Sequence, residues 1–204
     1  MKNYVIISIV IIIALGVFFS RNKDNKEEKE IIPPANNQEK TMTATLNTNK
    51  GDITIEFFEE QAPKTVANFR KLVEEKFYDG IKFHRVIKGF MIQGGDPLTR
   101  DNTRTDIWGT GGPGYKFADE IDLESTLYSG GGYLKGIVAM ANSGPNTNGS
   151  QFFIMAVDYP LPPLYTIFGR VIVGQDVVTK IENMQTGPAD RPTESVTINS
   201  ITLN

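Results

Sequence analysis

From residue 42 onward, the chain is divided into short apolar segments that are rich in β-branched residues and separated by Gly, Asn or Pro. Residues 43–47 and 52–57 alternate between polar and apolar side chains, and the residues between them are typical of a hairpin turn. Further segments of this kind occupy residues 81–87, 90–94, 136–142, 150–157, 165–172 and 195–203. Their length and spacing predict about eight β-strands.

Helical periodicity is confined to two stretches of this region. Residues 63–77 begin with Pro63 and place apolar side chains on one face, with Lys or Glu on the other. Residues 174–184 repeat the pattern, with an apolar stripe made of Val177, Val178, Ile181 and Met184. Because strands and helices do not alternate, we expect a mainly β fold: a closed eight-stranded antiparallel β-barrel capped by two α-helices.

The N-terminus has a different composition. Residues 4–19 contain no charged side chain, and these 16 residues would span roughly 24 Å as a helix, against ~30 Å for a bilayer core. Residues 1–20 are therefore interpreted as a hydrophobic signal anchor, with a cleavable signal peptide and a buried core helix as alternatives. The polar residues 21–41 are expected to be a flexible linker, so that the folded domain spans residues 42–204.

The charges around the apolar segment encode its orientation only weakly, because Lys2 precedes it and Arg21, Lys23 and Lys26 follow it. The usual topology of an N-terminal anchor favours export of the long C-terminal part. We therefore expect a domain that is membrane-anchored on the extracytoplasmic side, or that is secreted or periplasmic if the signal is cleaved.

Few side chains are available for proton or metal chemistry. The chain has no Cys and a single His, His84. These counts exclude disulfides, thiolate nucleophiles, iron–sulfur clusters and zinc sites built on Cys or paired His. The formal net charge of −3 offers no basic excess for nucleic-acid phosphates. We therefore expect no metal, no nucleic-acid partner and a reaction that needs little proton transfer.

Two glycine-rich stretches, residues 109–114 and 130–132, could suggest a phosphate-binding loop. Neither is followed by Lys-Ser/Thr or by the start of a helical pattern, so the nucleotide-binding interpretation fails on context. We interpret both as loops in which glycine allows positive φ angles or a close approach of the backbone.

Three long motifs carry a resemblance to a known family: FHRVIKGFMIQGGD at 83–96, GTGGPGYKFADE at 109–120 and ANSGPNTNGSQFFI at 141–154. In this order and spacing they resemble the cyclophilin family of peptidyl-prolyl cis-trans isomerases. The similarity continues through YTIFGRVIVGQDVV at 165–178 and covers residues 43–204. It implies an enzyme without a cofactor, with a substrate groove on the outer barrel face, that accelerates rotation about X-Pro bonds.

The resemblance also implies the site residues. Arg85 takes the catalytic position, where a guanidinium stays charged at any working pH. The matching substrate-binding positions are Phe90, Met91 and Phe153 in the proline pocket, Gln93 and Gln151 among the polar groove residues, and Ala141 and Asn142 at the edge that binds the peptide backbone. Strand alternation places His84 on the face opposite Arg85, so we interpret it as structural.

Residues 156–169 depart from the family pattern. Many relatives have a Trp here and a His shortly before the final strand, whereas this chain has the Pro-rich DYPLPPLY and is one residue shorter. Tyr165 occupies the His position, Leu161 is the expected counterpart of the Trp, and Leu164 is an alternative pocket residue. The change puts tight cyclosporin binding in doubt rather than catalysis.

Two classes of function remain open. The first is an active isomerase, expected to be a monomer, that acts on proline-containing peptides and unfolded chains of exported or membrane-proximal proteins. The second is a catalytically idle proline-peptide binding module or chaperone, and the intact set of site residues favours the enzyme. A hydrolase that uses His84 with Ser150 is disfavoured because the sequence has no nucleophile elbow.

Overall fold

The computed structural model describes residues 42–204, which form eight β-strands and three α-helices. The strands are β1 (Thr43–Thr48), β2 (Gly51–Phe57), β3 (Arg85–Ile87), β4 (Met91–Gly94), β5 (Ile137–Met140), β6 (Phe152–Met155), β7 (Ile167–Val173) and β8 (Ile198–Leu203). The helices are α1 (Pro63–Glu74), α2 (Thr126–Ser129) and α3 (Gln175–Glu182). The mainly β prediction is confirmed, and α1 and α3 are the predicted helices. The sequence analysis missed α2 because four residues are too few to show helical periodicity.

All eight strands belong to one antiparallel sheet in the order β3-β4-β6-β5-β7-β2-β1-β8. The prediction of a closed barrel is wrong, because the sheet curls into an open half-barrel whose edges are β3 and β8. β3 is only three residues long, and the chain before it meets the chain before β8 at one isolated bridge, between Lys82 and Thr197. A few backbone hydrogen bonds flank that bridge, such as the one from Phe83 N to Val196 O at 2.9 Å. The ladder therefore does not close.

The main apolar core packs the sheet against α1. Pro63 starts this helix, and its apolar stripe is buried. Phe69 lies at the centre, with ring centroids 4.9 Å from Tyr78, 5.5 Å from Phe152 and 5.4 Å from Phe168. Such aromatic pairs add stabilisation beyond their buried area. The helix is therefore held to the sheet by ring packing around one residue.

Strand β6 is buried on both faces. Phe152 and Ile154 belong to the main core, whereas Phe153 and Met155 belong to a second apolar cluster on the other face of the sheet. Because successive side chains of a strand point to opposite faces, this division follows directly from the sequence FFIM. The second cluster forms the floor of the cleft described below.

The predicted signal anchor and linker, residues 1–41, lie outside the residues that the structure describes. Among residues 42–204, no helix is both long enough and apolar enough to cross a bilayer.

Candidate functional site

A cleft of about 350 Å³ opens on the face of the sheet that carries the second apolar cluster. It brings together nine of the eleven predicted site residues: Arg85, Phe90, Met91, Gln93, Ala141, Asn142, Phe153, Leu161 and Tyr165. They come from β3, β4 and β6, from the chain after β5 and from the Pro-rich segment before β7. The cleft is therefore built where these five neighbouring parts of the fold meet.

The floor of the cleft is apolar and rigidly held. Met91 and Phe153 are only 2% and 5% exposed. The ring of Phe153 meets that of Tyr165 edge-on at 5.5 Å. The backbone N–H of Tyr165 donates to the Tyr133 hydroxyl at 3.0 Å, and that hydroxyl donates to the Tyr165 carbonyl at 2.8 Å. Burial raises the pKa of Tyr133, which keeps this hydroxyl protonated and able to donate. Tyr165 is thus fixed as a wall of the pocket.

Arg85 stands at the rim of this floor, at the start of β3 and opposite Gln93 in the β3–β4 register. Its side chain is 43% exposed, so the guanidinium reaches both solvent and the cleft. One terminal nitrogen donates to Gln93 Oε1 at 3.5 Å, and Nε lies 3.5 Å from Asp190 Oδ2. The charged, planar guanidinium of Arg85 is thus placed beside a buried apolar surface.

A chain of amide side chains extends from Arg85 toward the glycine-rich loop at residues 109–114. Gln93 Nε2 donates to Gln151 Oε1 at 3.0 Å. Gln151 Nε2 in turn donates to the carbonyls of Gly109 and Gly111, both at 2.9 Å. Both glutamines are therefore held in one orientation by their neighbours, and Gln93 keeps its oxygen toward Arg85.

A second, wider groove of about 670 Å³ continues from the cleft and shares three of its residues, Gln93, Ala141 and Asn142. Gln151, which does not line the first cleft, lines this groove, together with residues of the glycine-rich loop. The two openings form one continuous surface large enough for an extended peptide.

Leu164 does not line either opening. Its side chain is 56% exposed, and only its carbonyl reaches the site, where it accepts a hydrogen bond from Asn142 Nδ2 at 2.9 Å. Leu161 lines the cleft instead. The two Leu positions predicted from the Pro-rich segment therefore separate, with Leu161 at the pocket and Leu164 as a backbone support.

Asp96 holds the glycine-rich loop that lines the wider groove, a supporting role that the sequence analysis missed. Its carboxylate is fully buried and accepts from the backbone N–H groups of Leu98, Gly109 and Gly111. A Cβ on Gly111 would lie 2.1 Å from Asp96 Oδ1, so only glycine allows this approach. The interpretation of residues 109–114 as a loop of close backbone approach is confirmed. One sequence signal could have pointed to this role: an Asp directly follows Gly94-Gly95 at the end of a predicted strand.

His84 and Ser150 are both buried, and neither is placed in the cleft beside Arg85, although Ser150 borders the wider groove. His84 is 5% exposed, and burial lowers the pKa of its imidazole, while the nearby Asp96 opposes that shift. Ser150 is buried, and its hydroxyl donates to the Gly95 carbonyl at 2.7 Å. Neither residue lines the cleft that contains Arg85. Across residues 42–204, no three His, Cys, Asp or Glu side chains are grouped so as to hold a metal ion.

Comparison with known proteins points to one family. The family model described as cyclophilin type peptidyl-prolyl cis-trans isomerase/CLD matches residues 43–203. Peptidyl-prolyl cis-trans isomerase CYP18-1 of Arabidopsis thaliana is 49% identical over 80% of this chain and 96% of its own length. Peptidyl-prolyl cis-trans isomerase A of Mycobacterium tuberculosis is 50% identical, over 80% of this chain and 93% of its own.

Solved structures agree with these sequence matches. The crystal structure of a cyclophilin type peptidyl-prolyl cis-trans isomerase from Cryptosporidium parvum superposes with a TM-score of 0.70 at 36% identity, covering 80% of this chain and 98% of its own. The same protein crystallised in the presence of the dipeptide Ala-Pro gives a TM-score of 0.69.

Proposed function

The chain belongs to the cyclophilin family, and we propose that its peptidyl-prolyl cis-trans isomerase activity resides in the 350 Å³ cleft, with Arg85 as the catalytic residue. One observation carries this assignment: a half-exposed guanidinium stands at the rim of a buried apolar floor made by Met91 and Phe153. The dipeptide present with the Cryptosporidium parvum relative contains the proline ring that such a floor would accept.

The reaction needs only these parts. Rotation about an X-Pro bond crosses a barrier of ~18–20 kcal/mol, because the twisted amide loses its C–N conjugation. No covalent bond is made or broken. The apolar floor would hold the pyrrolidine ring and exclude water, while Arg85 would donate to the amide nitrogen or carbonyl as conjugation is lost. Since that interaction strengthens in the twisted state, it lowers the barrier rather than only binding substrate.

The remaining polar residues would position the peptide. Asn142 and the backbone of Ala141 lie directly after β5, where both openings share them. Extended peptides are commonly recognised through backbone hydrogen bonds at such an edge. Gln93 would fix the direction of the Arg85 guanidinium, because its own amide is held by Gln151.

The test is an isomerase assay of the full chain on a short Ala-Pro peptide, read by NMR exchange or by coupled proteolysis. Arg85→Ala should lower kcat/KM by about two orders of magnitude, or ~2.7 kcal/mol, with little change in Tm. Arg85→Lys should remain impaired, because an ammonium lacks the planar fork. Arg170→Ala is the matched control. Like Arg85, Arg170 lies on a strand and pairs with a carboxylate, that of Glu56, but it does not line the cleft.

The same assay separates the enzyme from an idle binding module. An idle module would bind a proline peptide in a titration without accelerating its cis-trans exchange. The exchange rate would then be the same with the wild-type chain and with Arg85→Ala. Activity of the wild-type chain that persists fully in Arg85→Ala would remove Arg85 from the catalytic role.

We also propose that the enzyme acts near a membrane, on proline-containing segments of exported or membrane-proximal chains, as a monomer. The support is the uncharged run at residues 4–19 followed by the polar residues 21–41. Carbonate extraction of source-cell membranes should leave the full chain in the pellet, and deletion of residues 1–20 should release it. Recovery of a shortened chain in the medium or periplasm would instead identify a cleaved signal peptide.

A further inference from the structure

The loop that joins α3 to β8 lies against β3 and has an unusual backbone. Ala189 and Asp190 both adopt positive φ angles, 60° and 55°, although neither is glycine. Side chains other than glycine enter this region at a cost, and such residues persist where surrounding contacts impose them. Here the Gly187 N–H closes the loop by donating to the Arg191 carbonyl at 2.8 Å. The conformation turns Asp190 toward the start of β3.

Arg191 anchors this loop to the rest of the domain. One of its terminal nitrogens donates to the Thr105 carbonyl at 2.7 Å. Its guanidinium lies over the ring of Trp108, 4.8 Å from the centroid. Trp108 is the single Trp of the chain, and its Nε1 donates to the Asp101 carbonyl at 3.0 Å. The loop is thus held near its middle by a stacked and hydrogen-bonded arginine.

The held loop places Asp190 Oδ2 3.5 Å from Arg85 Nε. The guanidinium therefore has the Asp190 carboxylate beside Nε and the Gln93 amide oxygen beside one terminal nitrogen. Among residues 42–204, its remaining N–H groups have no hydrogen-bond partner, and the Arg85 side chain lines the cleft. We propose that Asp190 is a positioning residue, which selects the Arg85 rotamer that presents these free donors to the substrate amide. The proposal rests on the catalytic role proposed for Arg85.

The energetics favour a positioning role over a stabilising one. The Arg85 and Asp190 side chains are 43% and 50% exposed, and an ion pair at this exposure adds little to folding. A flexible arginine side chain, however, samples many rotamers, so a weak bias toward one raises the fraction ready for reaction. Loss of the carboxylate should therefore affect kcat more than Tm.

The test uses Asp190→Asn in the full chain with an Ala-Pro peptide. Asn tolerates the left-handed backbone, so the loop is kept and only the charge is removed. We expect kcat to fall about tenfold while KM stays within about twofold, an effect between that of one exposed ion pair and that of a misplaced catalytic group. Wild-type kcat should decline with added salt, because salt screens the Arg85–Asp190 ion pair. This decline should be absent in Asp190→Asn, which lacks the pair. Glu59→Gln is the matched control, since it removes the carboxylate from an exposed pair with Arg70 outside the cleft.

A double-mutant cycle separates this proposal from the one on which it rests. In the Arg85→Ala background, Asp190→Asn should have no further effect on kcat, because the two residues act as one unit. If Arg85→Ala is inactive and Asp190→Asn is fully active, the positioning role is excluded and the catalytic role stands. If Arg85→Ala is fully active, both fail. An equal loss from Asp190→Asn in both backgrounds would also exclude positioning through Arg85.

NMR of the wild-type protein gives a readout that does not depend on activity. The Arg85 Nε–H signal, identified by its loss in Arg85→Lys, should shift in Asp190→Asn and not in Glu59→Gln. An unchanged signal would show that the carboxylate does not touch Arg85 in solution and would overturn the proposal.

Discussion

Replacing the buried Asp96 by Asn should destabilise the domain and loosen the site at once. The carboxylate accepts from the Leu98 N–H at 2.8 Å through Oδ1, and from the Gly109 and Gly111 N–H groups through Oδ2. An Asn of the same shape has one acceptor oxygen and one N–H₂ group. Whichever way it is oriented, its amide hydrogens face at least one backbone donor.

The magnitude follows from that mismatch. A hydrogen bond to a charged group contributes roughly 1.5–3 kcal/mol, and a buried donor left without a partner costs ~1–3 kcal/mol. The neutral amide is easier to bury than a carboxylate, which offsets part of this, so we expect a loss of about 3 kcal/mol. For a domain of this size, ~2–4 °C per kcal/mol gives a fall in Tm of about 6–12 °C.

The effect should also reach the cleft. Gly109 and Gly111 present the carbonyls that hold Gln151, and Gln151 holds Gln93 beside Arg85. A loop released from Asp96 should therefore lower kcat/KM by about tenfold at a temperature where the variant is still folded.

Calorimetry and the Ala-Pro assay measure the two effects, and Asp101→Asn is the matched control. Asp101 also caps a turn, accepting from the Thr103 N–H at 2.8 Å, and that hydrogen-bonding residue lowers its pKa, but it lies at the surface. Its replacement should change Tm far less. If the two variants melt together, the buried hydrogen bonds of Asp96 do not hold the loop as argued.

Two further outcomes are expected at His84 and Leu161. Burial lowers the pKa of His84 below its ordinary 6.5, so the unfolded chain binds more protons than the folded chain. The free energy of unfolding should therefore decline as pH falls below about 6.5. His84→Gln should remove this contribution, which denaturant titrations at several pH values would measure. Over pH 6–8, kcat/KM should stay flat in both proteins, and a bell-shaped profile lost in the variant would overturn the mechanism. Leu161→Trp adds an indole N–H and about 100 Å² of apolar surface at the cleft, which should contribute ~2.5 kcal/mol or more to binding. Cyclosporin affinity measured by titration should therefore rise at least tenfold, and nanomolar binding by the unmodified chain would contradict this.

Much of the fold was accessible from the sequence because local patterns encode it. The alternation in residues 43–47 and 52–57 predicted the β1–β2 hairpin, whose register places Thr48 opposite Gly51. The apolar stripe after Pro63 predicted α1. Except for Leu161 and Tyr165, the predicted site residues that meet in the cleft sit in long motifs on or beside adjacent strands, so correct strands bring them together. What local patterns do not contain is the closure of the sheet, which depends on how two distant edges meet.

The open edge of the sheet also explains why the sequence analysis did not identify Asp190 as a neighbour of Arg85. A closed barrel would hydrogen-bond β3 to β8 along its length, so the flank of β3 beside Arg85 would be covered by another strand. In the half-barrel that ladder is absent, and the turn at Pro188–Asp190 packs against β3 instead. Asp190 is 105 positions from Arg85 in the chain, and no sequence periodicity links them. A carboxylate on a loop can approach a guanidinium from the side, whereas a paired strand would offer only its backbone there. The departure from barrel closure thus gives Arg85 a charged neighbour that a continuous sheet would not.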